Sequence, residues 1–440
     1  MSEFITGFFR FVYRKLLTFR LWIKYFSGTA FQTSMENNSD YPKIRYLPQT
    51  ILNQYLRKLL TIPEKSDKYK PLAPDVYKSQ IDDPKIIAYY LPQFHPTPEN
   101  DLWWGRGITE WHNVARAVPQ FAGHYQPRLP DELGYYDLRL IENIDRQVEL
   151  AKSHGIYGFA YYYYWFDNKR LLDKPLDAFL LNKEIKFPFC LCWANESWTR
   201  RFDGNSGEVL IAQSQSSESY KNFIKSIKTY VLDERYIRVN DRPVLIIYRP
   251  SLMPDAVEVI SYWRKYCQKE GLGNLYLIGI KENTFEDNLL ELGFDAQSEF
   301  HPGTVIRYCN NITREISYLR EDFHGSIFDY ADLVKNKKFQ KTQAEKLYRA
   351  VMPMWDNTPR RNNAPLVFHG STPQLYKEWL IEVLLETRNN KELDMPFVFI
   401  NAWNEWGESA YLEPDRKYGY AYLRATREAM EEIRNFVKSS

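Results

Sequence analysis

Beyond Pro84, short runs of apolar, β-branched and aromatic residues alternate with longer stretches whose apolar positions recur every three to four residues. The runs cover residues 85–91, 156–163, 188–193, 243–248, 275–280, 294–298, 350–355 and 396–402. Each has the length of a strand, and most show little alternation with polar residues, as expected of strands in a parallel sheet. Helical periodicity follows at 138–154, 219–232, 254–270, 372–388 and 419–437. Repetition of strand, loop and helix predicts an α/β protein built as a (β/α)8 TIM barrel with long βα loops. The sixth and seventh runs fit the pattern least well. Pro353 interrupts the seventh, and residues 365–369 compete for its place. A doubly wound sheet would show the same alternation, but no Gly-x-Gly-x-x-Gly or phosphate-loop pattern follows any run.

Ahead of the barrel, Ile5, Phe8, Phe9, Val12, Leu16, Phe19, Ile23 and Phe26 share one helical face, with Arg10, Arg14, Lys15, Arg20 and Lys24 around it. These charges leave no uninterrupted span of about 20 apolar residues, and no clean signal peptide is present. The segment 4–26 is therefore expected to be an amphipathic helix that lies on an anionic membrane surface or docks on the barrel. Residues 33–83 read as linker and peripheral structure, with one short helix expected within 46–60. This divides the chain into an N-terminal helical extension, 1–83, and a barrel, 84–440.

Charge excludes some partners. With 58 basic and 56 acidic side chains the net charge is +2, so no global field draws the chain to nucleic acid. The four cysteines do not form a disulfide framework: Cys190 and Cys192 share one strand face, and Cys267 and Cys309 stand alone. A reducing compartment follows, hence a cytoplasmic protein, peripheral on the inner membrane if the amphipathic helix binds there. Seven histidines without ligand spacing suggest no dedicated metal site, and no cofactor motif appears. Aromatic residues reach 16%, with 33 Tyr and 12 Trp, several of them in loops where flat rings can stack on the apolar face of a sugar.

Barrel active sites form where the strands end. Those segments hold Tyr90, Gln93, His95, Trp104, Glu110 and Trp111 after the first run, Tyr163 at the end of the second, and Trp193, Asn195 and Glu196 after the third. The last run leads into Asn404, Glu405, Trp406, Gly407 and Glu408. Glycosidic chemistry needs one carboxylic acid to protonate the leaving oxygen and a second carboxylate to act as base, nucleophile or charge stabiliser. Glu405 and Glu408, set among indoles and beside a glycine that permits close backbone approach, are the expected catalytic pair. Glu196 is the rival acid, since Asn195-Glu196 also follows a strand. The other aromatic, amide and histidine groups are expected to bind substrate. Asp356 and Glu299 are weaker candidates for the pocket.

On these residues the stretch 85–437 resembles the WbsX-type family, glycosyltransferase-like proteins of lipopolysaccharide and other surface-polysaccharide biosynthesis. The likeness rests on Tyr90-Leu91-Pro92-Gln93-Phe94-His95-Pro96, Trp103-Trp104-Gly105, Thr109-Glu110-Trp111, Trp193-Ala194-Asn195-Glu196, the segment 401–408, and Leu412-Glu413-Pro414-Asp415. That family is in turn similar to the endo-α-1,2-mannosidases, retaining hydrolases whose Asn-Glu-Trp-x-Glu signature aligns with residues 404–408. The resemblance implies that Glu405 is the base acting on a sugar 2-hydroxyl and Glu408 the acid/base at the glycosidic oxygen. It also departs: Ser409-Ala410-Tyr411 stands where those hydrolases have Gly-Thr-Gln, and they lack the Pro92-Gln93-Phe94-His95 element.

The expected function is therefore cleavage or transfer of mannose-like glycosyl units in bacterial surface polysaccharide, with an oligosaccharide or polysaccharide as partner. A sugar-nucleotide glycosyltransferase is the alternative, although no Asp-x-Asp occurs in the chain. A non-catalytic glycan-binding barrel is the third reading. A neutral sugar, however, gains little from a second buried carboxylate.

Overall fold

Runs without polar alternation become strands covered on both sides. In β1 (Lys85–Tyr90) every residue after Lys85 is buried, and β8 (Phe397–Ile400) is buried throughout. The computed structural model describes residues 50, 53, 65–200, 208–285 and 287–438. The helix expected at 4–26 lies outside these residues, as does most of that expected within 46–60.

Between β1 and β8 run β2 (Ile156–Phe166), β3 (Phe189–Trp193), β4 (Arg242–Ile247), β5 (Tyr276–Ile280) and β6 (Ala296–Ser298). The seventh strand, β7, comes in two pieces, Leu347–Tyr348 and Ala350–Val351, on either side of Arg349. Its first piece pairs with β6 and its second with β8, whose Ile400 also pairs with Ala88 of β1. All neighbours are parallel, so the described residues form a closed eight-stranded barrel.

One expectation fails in detail. The seventh strand begins at Leu347 rather than 350 and stops short of Pro353. Arg349 conceals its start, because a charged residue interrupts the apolar run. The guanidinium is nonetheless buried, paired with Glu299 at 2.9 Å and Glu386 at 2.7 Å. Beyond β7 the chain leaves the barrel. Trp355–Asp356 pairs antiparallel with Leu366–His369, which pairs parallel with Ser326–Asp329 to make a separate three-stranded sheet. Residues 365–369, the competitor for the seventh strand, belong to that side sheet.

The first βα loop carries α1 (Pro98–Trp104) and α2 (Glu110–Arg116) before the outer helix α3 (Ile141–Ser153). Further outer helices are α4 (Lys174–Leu181), α5 (Ser217–Ser226), α6 (Ala256–Lys269), α7 (Pro373–Asn389) and α8 (Ala421–Lys438). They turn an apolar stripe inward, as Ile144, Val148 and Ala151 do on α3. Residues 65–83, read from the sequence as linker, pack on the barrel. Lys70 bridges Gly419, and Asp83 accepts from Tyr77 at 2.5 Å and from Arg434 of α8 at 3.0 Å.

The two-residue period of β2 sorts four consecutive tyrosines onto opposite faces. Tyr161 packs on Phe179 of α4, and Tyr163 donates to Ser226 of α5, both outside the barrel. Tyr162 and Tyr164 line the cavity at its C-terminal mouth. All four cysteines are free thiols, with Cys190, Cys192 and Cys267 buried. No helix among the described residues is long and apolar enough to cross a membrane.

Candidate active site

The loop after β8 is held rigidly before any chemistry is asked of it. Asn404 accepts from the Leu91 amide at 2.7 Å and donates to the Leu91 carbonyl at 3.0 Å, clamping this loop to the end of β1. Asn404–Glu405 then pairs with Ala410–Tyr411 as a tight hairpin around one 3-10 turn, Trp406–Glu408. Trp406 anchors the turn from below, stacked on Tyr411 at 3.8 Å and donating to Glu413 at 2.6 Å. Burial pushes the Glu413 carboxyl up to about 7, and it also accepts from Gln147 and Tyr136.

Into this turn reaches Arg360, which no sequence pattern singled out. It sits on a single helical turn, Thr358–Arg361, held by Asp356, which accepts from the Thr358 amide at 2.9 Å and its hydroxyl at 2.5 Å. One guanidinium grips three carboxylates: Glu110 through Nε at 2.7 Å, Glu405 through Nη2 at 2.9 Å and Glu408 through Nη1 at 2.8 Å. A Cβ at Gly407 would stand 1.6 Å from Glu110 Oε1 and 2.8 Å from Arg360 Nε. The glycine thus admits these two side chains, and not only a ligand, to the backbone.

Three carboxylates against one cation leave two negative charges uncompensated among buried side chains, which favours keeping a proton on the group. Burial pushes Glu405 up to about 8, with Glu408 and Glu110 adding to the rise and Arg360 opposing it. Glu408 is raised for the same reasons, and Glu196 adds to its rise. The Glu408 side chain is 20% exposed against 6% for Glu405, so Glu408 faces more of the cavity.

That cavity measures about 350 Å³, within the range of about 300–1,000 Å³ usual for small-molecule sites. Glu405, Glu408, Glu110, Glu196, Gln93 and Trp104 of the expected residues line it. Tyr162, Tyr164, Trp198, Tyr248, Phe300 and Trp355 complete an aromatic wall that was not expected residue by residue. Glu196 is held by Arg249 at 3.3 Å.

The remaining expected residues stand off the cavity. Tyr90 points outward and donates to Gln147 of α3 at 2.6 Å, and Trp193 stacks on Phe223 of α5 at 3.9 Å. Tyr163 is outward like them. His95 is buried with Nδ1 on the Pro92 carbonyl at 2.9 Å, and Trp111 donates to the Tyr136 carbonyl at 2.8 Å. Asn195 ties β3 to β4 through both backbone groups of Arg249, at 2.7 and 2.8 Å. Asn404 and Trp406 support the turn that carries Glu405 and Glu408 from behind. Of the weaker candidates, Glu299 pairs with Arg349 in the barrel interior, and Asp356 lies behind Arg360 with His124 at 2.7 Å.

This geometry can be set beside known proteins. The GH99 endo-alpha-mannosidase from Bacteroides thetaiotaomicron, solved in complex with bis-tris-propane, superposes with a TM-score of 0.51 at 15% identity, over 82% of this chain and all of that one. A glycoside hydrolase-like protein gives 0.50 at 12% identity, covering 83% of this chain and 98% of that one. At such identities the likeness establishes the fold, a TIM barrel. In sequence, the uncharacterized protein WxcX of Xanthomonas campestris pv. campestris is 42% identical over 345 residues. That match takes in 78% of this chain and 49% of WxcX, so the chain spans about half the length of the curated relatives it matches. Residues 86–426 match the family described as Glycosyltransferase WbsX, and the chain belongs to that family.

Proposed function

We propose that the protein is a carbohydrate-active enzyme that cleaves or transfers a mannose-like glycosyl unit with retention of configuration, using Glu405 and Glu408. The observation that carries this reading is the gripping of both carboxylates by one guanidinium on one wall of an aromatic cavity. Side by side on Arg360, they do not straddle an anomeric carbon as a conventional nucleophile and acid would. A division of labour on one side of the sugar suits them better. Glu408, nearer the open cavity, carries the pair's proton to the glycosidic oxygen. In the reacting microstate the pair's shared proton rests on Glu408 and Arg360 supports ionised Glu405, which removes the proton of the 2-hydroxyl; that oxygen attacks the anomeric carbon as the glycosidic bond breaks and its oxygen takes the Glu408 proton. The aromatic wall supplies stacking surfaces, and Glu110, Glu196 and Gln93 accept or donate hydrogen bonds at the rim.

The test is to incubate purified full chain with mannose-containing oligosaccharides, with and without nucleotide sugars, following anomeric products by NMR. Product of retained configuration formed without a nucleotide sugar supports the reading. Product formed only with a nucleotide sugar would replace it by the sugar-nucleotide transferase that the family description favours. Binding without any product would leave a glycan-binding barrel. Glu405→Gln and Glu408→Gln should each lower turnover at least about 100-fold, and Glu196→Gln less. A 2-fluoro substrate should bind and fail to react; a covalent adduct on either glutamate would overturn the mechanism.

A further inference from the structure

A second cavity, of about 200 Å³, opens where the loops after β7 and β8 meet the long insert of the first βα loop. Two cations line it. Arg128 is only 9% exposed, and its Nε has no hydrogen-bond partner. Its Nη1 meets the Met354 sulfur at 2.7 Å, and its guanidinium lies 4.7 Å from the Tyr125 ring and 5.9 Å from Tyr411. Lys417 Nζ stands over the same Tyr125 ring at 4.2 Å and over Tyr418 at 5.1 Å. Among the described residues no carboxylate comes within 4.0 Å of either cation.

The acids nearby are committed elsewhere. Asp356 accepts from His124, Gln126 and Thr358, and Asp415 accepts from Tyr411, Tyr125 and the Tyr418 amide. Cation–π contacts are too weak to offset the burial of one cation beside another. Burial and the Arg128 charge accordingly push Lys417 down. Asp356 in the lining and Asp415 beside it offset part of this charge without coming within 4.0 Å of either cation, and the fold aims more positive potential at the cavity. Ser371 and Thr372, at the N-terminus of the 17-residue helix α7, form part of the lining, which places the positive end of that helix at the cavity. In (β/α)8 barrels this corner, the loops after strands 7 and 8, is a frequent place for phosphate.

We propose that this cavity binds a phosphoryl group, with Arg128 as directional donor, Lys417 as point charge and the first turn of α7 as dipole. A carboxylate would neutralise only one of the two cations. A phosphomonoester carries about −1.5 to −2 near neutral pH and answers both. The site is separate from the glutamate cavity: Asp356 lines this one, and its neighbour Trp355 lines the other. A phosphoryl group held here therefore anchors a ligand rather than reacting, and the inference stands independently of the proposed glycosidic chemistry.

Isothermal titration of the full chain with inorganic phosphate, against chloride at matched ionic strength, tests it. Saturable one-to-one binding is expected, weakened at least about tenfold by Lys417→Gln, the size of one charge-assisted hydrogen bond lost. Lys225→Gln, on exposed α5 surface, should leave binding unchanged. Arg128→Gln should weaken it further; if that buried change prevents folding, the Lys417 comparison still decides. Glucose 1-phosphate and n-butyl phosphate distinguish the sources. Tighter binding of the first assigns a phosphorylated sugar, of the second a lipid headgroup, and equal binding free phosphate. No saturable binding at millimolar phosphate, or equal effects of Lys417→Gln and Lys225→Gln, would overturn the proposal.

Discussion

Replacing Glu405 by Gln should make the protein more stable as well as inactive. The carboxyl has an ordinary value of 4.5 and is pushed up to about 8 in the folded protein, chiefly by burial. The folded state therefore binds this proton more tightly than the unfolded chain. The group's contribution favours folding below 4.5 and is lost as pH rises toward 8. At about 1.36 kcal/mol per pH unit, the unfolded chain gains about 3 kcal/mol by ionising at pH 7 that the folded chain does not, and under about 1 kcal/mol at pH 5. Gln cannot ionise in either state, and it relieves Arg360 of one carboxylate while leaving Glu110 and Glu408 in place. Relative to the parent, the variant should thus gain about 2 kcal/mol more at pH 7 than at pH 5. Calorimetric midpoints at the two pH values measure this as a few degrees. A variant no more stabilised at pH 7 than at pH 5 would show that Glu405 is not held protonated by its surroundings, and the charge argument for the site would fall.

Other expectations follow from the same geometry. If turnover needs one proton on the glutamate pair, kcat/KM should fall along an alkaline limb near pH 8, and Arg360→Met should move that limb upward, since the guanidinium opposes the rise; an unmoved limb would refute it. Gly407→Ala should cost at least about 100-fold in turnover, because the new methyl displaces Glu110 and Arg360; activity near the parental level in steady-state assays would contradict the packing. Tyr162→Phe should change KM, whereas Tyr163→Phe should leave kinetics alone and lower stability by about 1 kcal/mol through its lost bond to Ser226, as unfolding curves would show. Residues 1–30 should confer salt-sensitive binding to anionic vesicles in a flotation assay, and full-length protein that ignores such vesicles would point to a helix docked elsewhere.

The barrel was legible because most strands covered on both faces show nearly uninterrupted apolar runs, and seven of the eight observed strands start within two residues of where the runs begin. The seventh failed because Arg349 is a buried charge whose partners, Glu299 and Glu386, are far apart in sequence. Glu405 and Glu408 stood out as two carboxylates packed among indoles. Their neighbours were harder to read for two reasons. Strand parity is invisible in Tyr161-Tyr162-Tyr163-Tyr164, where composition is uniform, so Tyr163 was chosen and Tyr162 missed; similarly Tyr90 and Trp193 face the helices. Arg360 carried no signal at all, since its place depends on a side sheet formed by segments separated by some forty residues.

That side sheet has a consequence for how the protein could be altered. The cation that sets the charge of the glutamate cluster comes from the excursion between β7 and α7, while Glu110 comes from the first βα loop and Glu405 and Glu408 from the loop after β8. An eight-stranded shell from which this excursion had been trimmed could still close and fold around its apolar interior, yet Glu110, Glu405 and Glu408 would face one another without a counter-ion. Such a shell would shed charge by taking up further protons, and a trimmed protein would be a scaffold in which the proposed chemistry is switched off. Grafting the excursion back, rather than altering the shell, would be the way to switch it on again.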